Sequence, residues 1–406
     1  MTLTKKISNH NFKAFLWHAG FLAFAQNFMD VDTVIPAMVI ESGGNAMHIG
    51  IITAIMLGAS RFTQLFFAPY VSNIPYKKKF LIGGISTRVL SLFALGGILF
   101  YLRNHQSSAI LWLIFLFITI FALAGAFTNI SFSDVLGKSI LPEKRKTFFS
   151  AKQTIAGGIV LGAAFLAKMV LSAFDYPVNF AIMFFLGASL LLIASGGFWK
   201  VKEIEPSEMR IKSLHDFIQI LKRELKENKK LPHFLGFINT QGIIISFLPF
   251  VMLYAKQYLN AQSSDTGTFL LFKVIGIVLI SLLVFFFSKK IRYNKILYFN
   301  VALSALLILL TFFIKNQHSL ILVFVMGGMA FSLFTITMNG LLLEVSTNEN
   351  RAIYTGFAGA GNILPALVPI AGGGIISLFG FTAFFVMYLV LILSSLFFIY
   401  KIDCKK

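Results

Sequence analysis

Cysteine is nearly absent. Cys404, close to the C-terminus, is the only one, so no intrachain disulfide can staple the fold and the redox compartment cannot be read. Charge is scarce too, at 13% of residues, against about a quarter in soluble domains. Acids are the scarcer sign, 16 Asp and Glu against 35 Lys and Arg. The histidines are scattered, and no His-x-x-x-His pair, cysteine cluster or Walker motif occurs, which argues against a metal enzyme and an ATP-driven pump on this chain. Nothing marks a nucleophile with its base or paired interfacial acids, and no filter loop or charged ring marks a channel. No catalytic residue, metal or cofactor is therefore expected.

What is present is apolar. Hydrophobic residues make up 57% of the chain, and the mean hydropathy is +0.82, values that belong in a bilayer. A formal charge of +19 would point to nucleic acid in a soluble protein. Here the basic residues cluster in short loops between apolar runs, which points to lipid headgroups and topology. Runs long enough to span the hydrocarbon core recur. The first half gives Phe12–Pro36, Met47–Tyr70, Phe80–Tyr101, Ala109–Leu136, Phe148–Phe174 and Val178–Trp199. The second gives Leu231–Tyr258, Ser264–Phe287, Ile296–Ile314, Ser319–Leu343, Ala352–Ser377 and Phe379–Tyr400. The expected fold is an all-α integral membrane protein of about twelve transmembrane helices. The first run carries Asp30 and Asp32 and lacks a small-residue cleavage site, so no cleavable signal peptide is expected.

One long polar stretch, Lys200 to Pro232, divides the runs evenly. In it Leu214, Phe217, Ile218, Leu221 and Leu225 recur at helical spacing. Ser213 with Asp216 can form a capping box, and lysines with Arg223 fill the remaining surface. Such a helix either lies on an anionic membrane face or is a solvated linker touching only protein. The expected domains are 1–199, a linker over 200–230, and 231–406.

Basic residues set the orientation. The N-terminus, Lys77–Lys79, Lys144–Lys146, the linker, Lys289-Lys290 with Arg292 and Lys295, Arg351 and Lys405-Lys406 fall on one side, leaving little beyond Arg103, Lys256 and Lys315 on the other. This asymmetry places both termini in the cytoplasm of a cell (inner or plasma) membrane.

The halves echo each other. After the fourth run comes D-V-L-G-K-S-I-L-P-E-K-R-K-T-F-F-S, and after the tenth E-V-S-T-N-E-N-R-A-I-Y-T-G. Each has an acid at a helix end, then Glu-x-Arg, then an aromatic three residues on, Phe148 or Tyr354. The positive-inside rule explains basic loops but not the shared Glu-x-Arg. Duplicated six-helix units are a mark of secondary transporters. On these motifs, the linker and the six-plus-six pattern, the chain resembles the major facilitator superfamily over nearly all its length. The segments D-V-D-T-V-I-P and S-R-F-T-Q-L-F-F-A-P resemble a bacterial subgroup. One departure stands out: the loop after the second run has Asn73 and Lys77–Lys79 where the family carries an acid, which puts the family's usual latch in doubt.

The resemblance implies two pseudo-symmetric bundles rocking around a central cavity lined mainly by spans 1, 4, 7 and 10. Candidate substrate-binding residues are Gln26, Asn27, Asn129, Asn239, Gln241, Thr335 and Asn339, with Arg61 and Gln64 on span 2. For each the competing role is a helix–helix hydrogen bond. Asp30 is the candidate for proton coupling, because a carboxylate in a water-poor cavity can alternate protonation with conformation; a structural ion pair is its competitor. Asp32 is expected near the outer rim and Lys273 in the outer half of span 8. Asp134 and Glu344, beside Arg145 and Arg351, are expected gate pairs. Prolines and glycines of spans 7 and 11 are expected to allow kinks, and Gly157-Gly158 and Gly162 to permit close helix contact.

These readings converge on a secondary active transporter of a small organic solute or drug-like compound. Its expected partners are that small molecule, protons or another coupling ion, and membrane lipids, acting as a monomer without nucleic acid. An uncoupled facilitator, a lipid flippase of the same fold, or a non-transporting receptor are the alternatives. With Cys404 replaced, single cysteines at Ser207 and Asn348 should be labelled by impermeant reagents only from the cytoplasmic side, and one at Ser263 only from outside. Labelling at Ser207 from outside would overturn the orientation.

Overall fold

The computed structural model describes residues 3–72, 74–101, 109–206, 214–287, 293–346 and 351–402; for 60–70, 72, 130, 146, 214–217, 351–353 and 360 it describes the backbone alone. All regular structure in these residues is helical. The first half comprises α1 (Lys5–Gln26), α2 (Val34–Glu41), α3 (Ala46–Ser72), α4 (Lys78–Tyr101), α5 (Ala109–Ser139), α6 (Pro142–Ala173) and α7 (Val178–Lys200). The linker forms α8 (Leu214–Glu227). Then follow α9 (Leu231–Thr240), α10 (Leu248–Leu259), α11 (Asp265–Phe287), α12 (Tyr293–Phe313), α13 (Leu320–Val345), α14 (Arg351–Ala360) and α15 (Leu364–Ile402). Among the described residues nine segments are long and apolar enough to cross a membrane, and Ala46–Ala59 is a shorter apolar helix. The segment Tyr354–Ile402 alone holds two expected spans, so the count is consistent with twelve.

Three expected spans are broken. Span 1 ends α1 in a 3-10 turn over Asn27–Met29, passes through extended backbone at Asp30, and restarts as α2. Pro36 sits in the first turn of α2, where a missing N–H costs nothing. Span 7 passes from α9 to α10 through a 3-10 stretch over Gln241–Ser246, with Pro249 in the first turn of α10. Span 11 stops at Ala360 and resumes at Leu364. Spans 11 and 12 meet at Gly380, whose φ of 78° is open to glycine at little cost.

The chain forms two compact units. The first is Met1–Asp30 with Ala59–Phe217; here α1 packs on α6 and α7, and α4 on α5 and α7. Its core is aromatic, built on Phe15, Phe148, Phe180, Phe184 and Phe198. The repeat's aromatic Phe148 meets Phe12 and Phe15 edge-on, with centroids 5.7 and 6.2 Å away. The second unit is Val31–Gly58 with Ile218–Lys406. In it α11 packs on α13, α15 on α9 and α12, and α2 on α10 and α11. Unit membership thus departs from the even division of the sequence, because Val31–Gly58 groups with the later helices.

Apolar lipid offers helices no hydrophobic gain for pairing, so close backbone approach carries much of the packing. A Cβ added at Gly276 would lie 2.0 Å from the Val325 carbonyl oxygen, and one at Gly328 only 1.9 Å from that of Lys273. These two glycines let α11 and α13 touch. The glycines expected to do so in α6 do not: a Cβ at Gly157, Gly158 or Gly162 would meet nothing within 4 Å. Gly276→Val or Gly328→Val should therefore cost about 1–3 kcal/mol and lower the apparent Tm in detergent, whereas Gly157→Ala and Gly158→Ala should leave it unchanged or raised. Equal effects at both pairs would refute this packing.

Candidate functional site

A carboxylate in an apolar interior needs a counter-charge, and α2 has one at each end. Asp32, in the turn before α2, lies 2.5 Å from Lys273 of α11. Both residues are buried, at 6% and 4% exposure. Glu41, the last residue of α2, pairs with Lys256 of α10 at 2.8 Å. The rim position expected for Asp32 is thereby corrected: the break in span 1 turns the carboxylate inward onto α11. Beyond α2, Gly50 and Gly373 extend the contact, since Cβ atoms there would lie 2.4 and 2.5 Å from the carbonyl oxygens of Pro369 and Ala46. Asp30, two residues before Asp32, is half-buried on extended backbone.

The candidate binding residues divide by exposure. Gln26, Asn129, Thr335 and Asn339 are exposed; the Thr335 hydroxyl donates to the Phe331 carbonyl one turn back. Asn27 is buried, its amide 3.4 Å from the Val160 carbonyl. Asn239 bridges the break in span 11: its amide donates to Leu235 and Gly361 carbonyls, and its oxygen accepts from the Ile363 and Leu364 N–H groups at 2.9 Å. It thus caps the restart of the helix. Gln241 is fully buried and donates to the Ser304 hydroxyl at 2.8 Å, in a network that continues through Asn300 to Thr337. Arg61 and Gln64 lie outside the described side chains.

At the N-terminal end of α4 an ion network replaces the missing acid. Lys77, only 2% exposed, pairs with Asp134 at 3.1 Å, as does Lys138. Glu203, in the segment after α7, accepts from the Lys77 and Lys78 backbone N–H groups at 2.8 Å and pairs with Lys138 at 2.7 Å. Its charge at the start of α4 complements the helix dipole. Sequence reading missed Glu203, whose only signal is being an acid close behind a helix end. Arg145 instead folds back on α5, donating to the Gly137 carbonyl and to that of Ile140 at 3.1 Å. Glu344 is exposed, and the Arg351 side chain lies outside the described set. The repeat's second aromatic, Tyr354, donates to Glu224 at 2.8 Å, and Asn228 donates to Val345, so the end of the linker is docked on protein.

Among the described residues no group of three or more His, Cys, Asp or Glu is placed to hold a metal. An open apolar groove of about 810 Å³ runs between α1 and α6, past Trp17, Gly20, Phe24, Ile159 and Gly162. None of the candidate polar residues lines it.

The family model described as Major Facilitator Superfamily matches residues 16–361. No match was found among curated proteins. Solved structures share the fold. The nucleoside transporter NupG is 14% identical, with 97% of this chain and 98% of that one covered at a TM-score of 0.67. A POT family transporter in complex with a thioalcohol-conjugated peptide is 12% identical, with 97% and 96% covered at 0.70. A bacterial metal transporter is 13% identical, with both chains fully covered at 0.59.

The Asp32–Lys273 pair makes a sharp mutational test. Lys273→Met should destabilise by about 3–5 kcal/mol, because it strands a buried carboxylate, and Asp32→Asn should likewise be costly. Asp32→Asn with Lys273→Met should recover much of the loss in apparent Tm. Simple addition of the two single losses would show that the side chains are not coupled.

Proposed function

The chain belongs to the major facilitator superfamily, and on that premise we propose that it is a secondary active transporter, moving a small organic solute or drug-like compound by alternating access. It is a multi-pass membrane protein of a transporter family; coupling to protons and the solute class are our reading. The observation that carries it is the interruption of spans 1, 7 and 11, with carboxylates at the first break. Broken helices are where transporters place binding and coupling groups, since their freed backbone groups and flanking side chains can face a cavity.

Asp30 is assigned the coupling role. Asp32 pairs with Lys273, while Asp30 is half-buried on extended backbone at the break between α1 and α2. Gln26 and Asn129 of the first unit, and Thr335 and Asn339 of the second, are the exposed candidates for contacting solute. Arg61 and Gln64 are retained as sequence-based candidates. Asn239 and Gln241 are reassigned to holding the broken helices together. Both termini are assigned to the cytoplasm of a cell membrane, with the protein working as a monomer.

The test uses proteoliposomes with an imposed pH gradient, and solutes chosen by a thermal-shift screen of metabolites and drugs. Accumulation above the external concentration, collapsed by a protonophore, is expected. Asp30→Asn should abolish that accumulation yet spare solute exchange, since only the coupled step requires deprotonation. Equilibration without accumulation in the wild type would mark an uncoupled facilitator, and phospholipid movement without solute uptake a flippase. Gradient-driven accumulation by Asp30→Asn would make Asp30 structural.

A further inference from the structure

We infer that His18, Arg88 and Lys152 form a binding site for an oxyanion, the carboxylate or phosphate group of the solute carried. The inference takes the transporter reading as its frame, but it is tested by binding alone, so either can fail without the other.

The three side chains come from α1, α4 and α6 of the first unit, with His18 and Lys152 against one ring, Phe132, and Arg88 over Phe121 of the same helix. The starts of these helices are tied together at one end of the unit. Ser8 accepts from Leu141 N–H, and Lys78 donates to the Trp199 and Val201 carbonyls, while Asn11 bonds Lys202. His18 is thirteen residues beyond Lys5, Arg88 ten beyond Lys78, and Lys152 ten beyond Pro142. At helical rise all three lie roughly 15–20 Å from that end, and about 6–12 Å inside the expected span starts Phe12, Phe80 and Phe148. Aromatic rings frame them. His18, 3% exposed, stacks on Phe198 at 3.7 Å between centroids and lies 6.2 Å from Phe132. Lys152 Nζ is 5.9 Å from the same Phe132 ring, and the Arg88 guanidinium sits 4.2 Å over Phe121. Arg88 and Lys152 are the charges close enough to act on His18.

What the group lacks is a carboxylate. Neither Arg88 nor Lys152 has an ion-pair partner among the described residues, and Arg88 Nε is buried without a hydrogen bond. Among the described side chains of the unit, the acids are engaged or far away; Glu208 and Asp216 lie outside them. Asp134 and Glu203 hold Lys77 and Lys138. Glu205 accepts from Leu3 N–H. Glu143 and Asp175 lie at the ends of α6. Asp30 is twelve residues beyond His18. The backbone-only stretch 60–70 contains no acid. A buried cation without a counter-ion is costly in a bilayer, and aromatic faces return only about 1–2 kcal/mol. Among the described residues the buried lysines Lys77 and Lys273 are paired, whereas the buried Nε of Arg88 and the half-buried Lys152 are not. The exception therefore reads as a site whose counter-ion arrives with the ligand.

The chemistry fits an oxyanion. A guanidinium offers two parallel N–H donors to a carboxylate or phosphate, and an ammonium adds a point charge. His18 Nδ1 is 3.1 Å from the Ala194 carbonyl, so it carries the hydrogen and donates. That leaves Nε2 free to accept from a hydroxyl or acid proton on the ligand.

Purified full-length protein would be titrated with inorganic phosphate and with citrate, at ionic strength held constant with chloride, while thermal unfolding is followed. Either anion should raise the apparent Tm. Arg88→Gln or Lys152→Gln should weaken its apparent affinity by about tenfold or more, as expected for losing a charge-assisted hydrogen bond. Lys13→Gln, an exposed lysine on α1, should leave it unchanged. A second measurement holds even if the glutamine variants fold poorly. Without added anion, Arg88→Met should unfold no earlier than wild type, because it removes an unpaired buried charge; a structural arginine would give the opposite sign. Stabilisation by phosphatidylglycerol over phosphatidylcholine nanodiscs, dependent on Arg88 and unmatched by soluble anions, would overturn the solute assignment in favour of a lipid headgroup. A lowered Tm for Arg88→Met, or anion effects equal in Arg88→Gln and wild type, would overturn the site itself.

Discussion

A charge placed in a low-dielectric interior must be neutralised, and a chain with 16 acids for 35 bases has few neutralising groups to place. Where they go decides much of the structure. Asp32 and Glu41 meet Lys273 and Lys256, and together they fasten both ends of α2. Asp134 and Glu203 absorb Lys77 and Lys138, and so set the loop between α3 and α4. Each of these acids holds a stretch of backbone that hydrophobic packing alone would leave indifferent, since lipid and side chain are equally apolar. With these acids committed in this way, no described acid pairs with the cations inside the first unit.

Backbone polarity imposes the second demand. A span that breaks inside a bilayer exposes N–H and C=O groups with no water to receive them, so protein must do so. Asn239 answers this at the break in span 11 with four hydrogen bonds, two donated and two accepted. The break in span 7 is short because a 3-10 stretch continues the bonding, and Gln241 locks that stretch to α12 through Ser304. A polar residue in a membrane helix is therefore ambiguous from its spacing. Asn239 and Asn339 look alike as candidates, yet one is consumed by backbone and the other is exposed.

That ambiguity explains what could be read in advance. Apolar run lengths gave an order of spans with which the described helices are consistent, since bilayer thickness allows few alternatives. The amphipathic stripe placed α8, and the repeated Glu-x-Arg with its aromatic found Phe148 and Tyr354, both buried. Pairings were harder. Asp32 and Lys273 stand 241 positions apart, and nothing local in either run names the other. The Asn73 and Lys77–Lys79 loop announced a missing acid but not that Glu203 would stand nearby. Glycines misled for a related reason: Gly157-Gly158 has the small-residue signature of a contact, but whether a neighbour occupies that face is a tertiary fact. No spacing in the sequence joins His18, Arg88 and Lys152. Their placement depends on how α1, α4 and α6 are gathered at their starts.

Paired and unpaired charges differ in what can change them. The Asp32–Lys273 pair carries its own counter-ion, so only rearrangement or proton movement alters its balance, and a buried pair resists both. Such a contact suits a fastening. On the reading proposed above, the Arg88 and Lys152 cations lack a counter-ion until a ligand supplies one, so their energy depends on occupancy. Rings of Phe121, Phe132 and Phe198 hold the flanking groups in place, and donors held in advance lose little freedom when the anion arrives. The anion then relieves a cost built into the empty protein, in addition to making new contacts. A ligand shifts a conformational equilibrium only by its differential affinity for the two states. A cationic group whose burial changes with conformation would supply that difference, and occupancy would then select the conformation in which Arg88 and Lys152 are most enclosed.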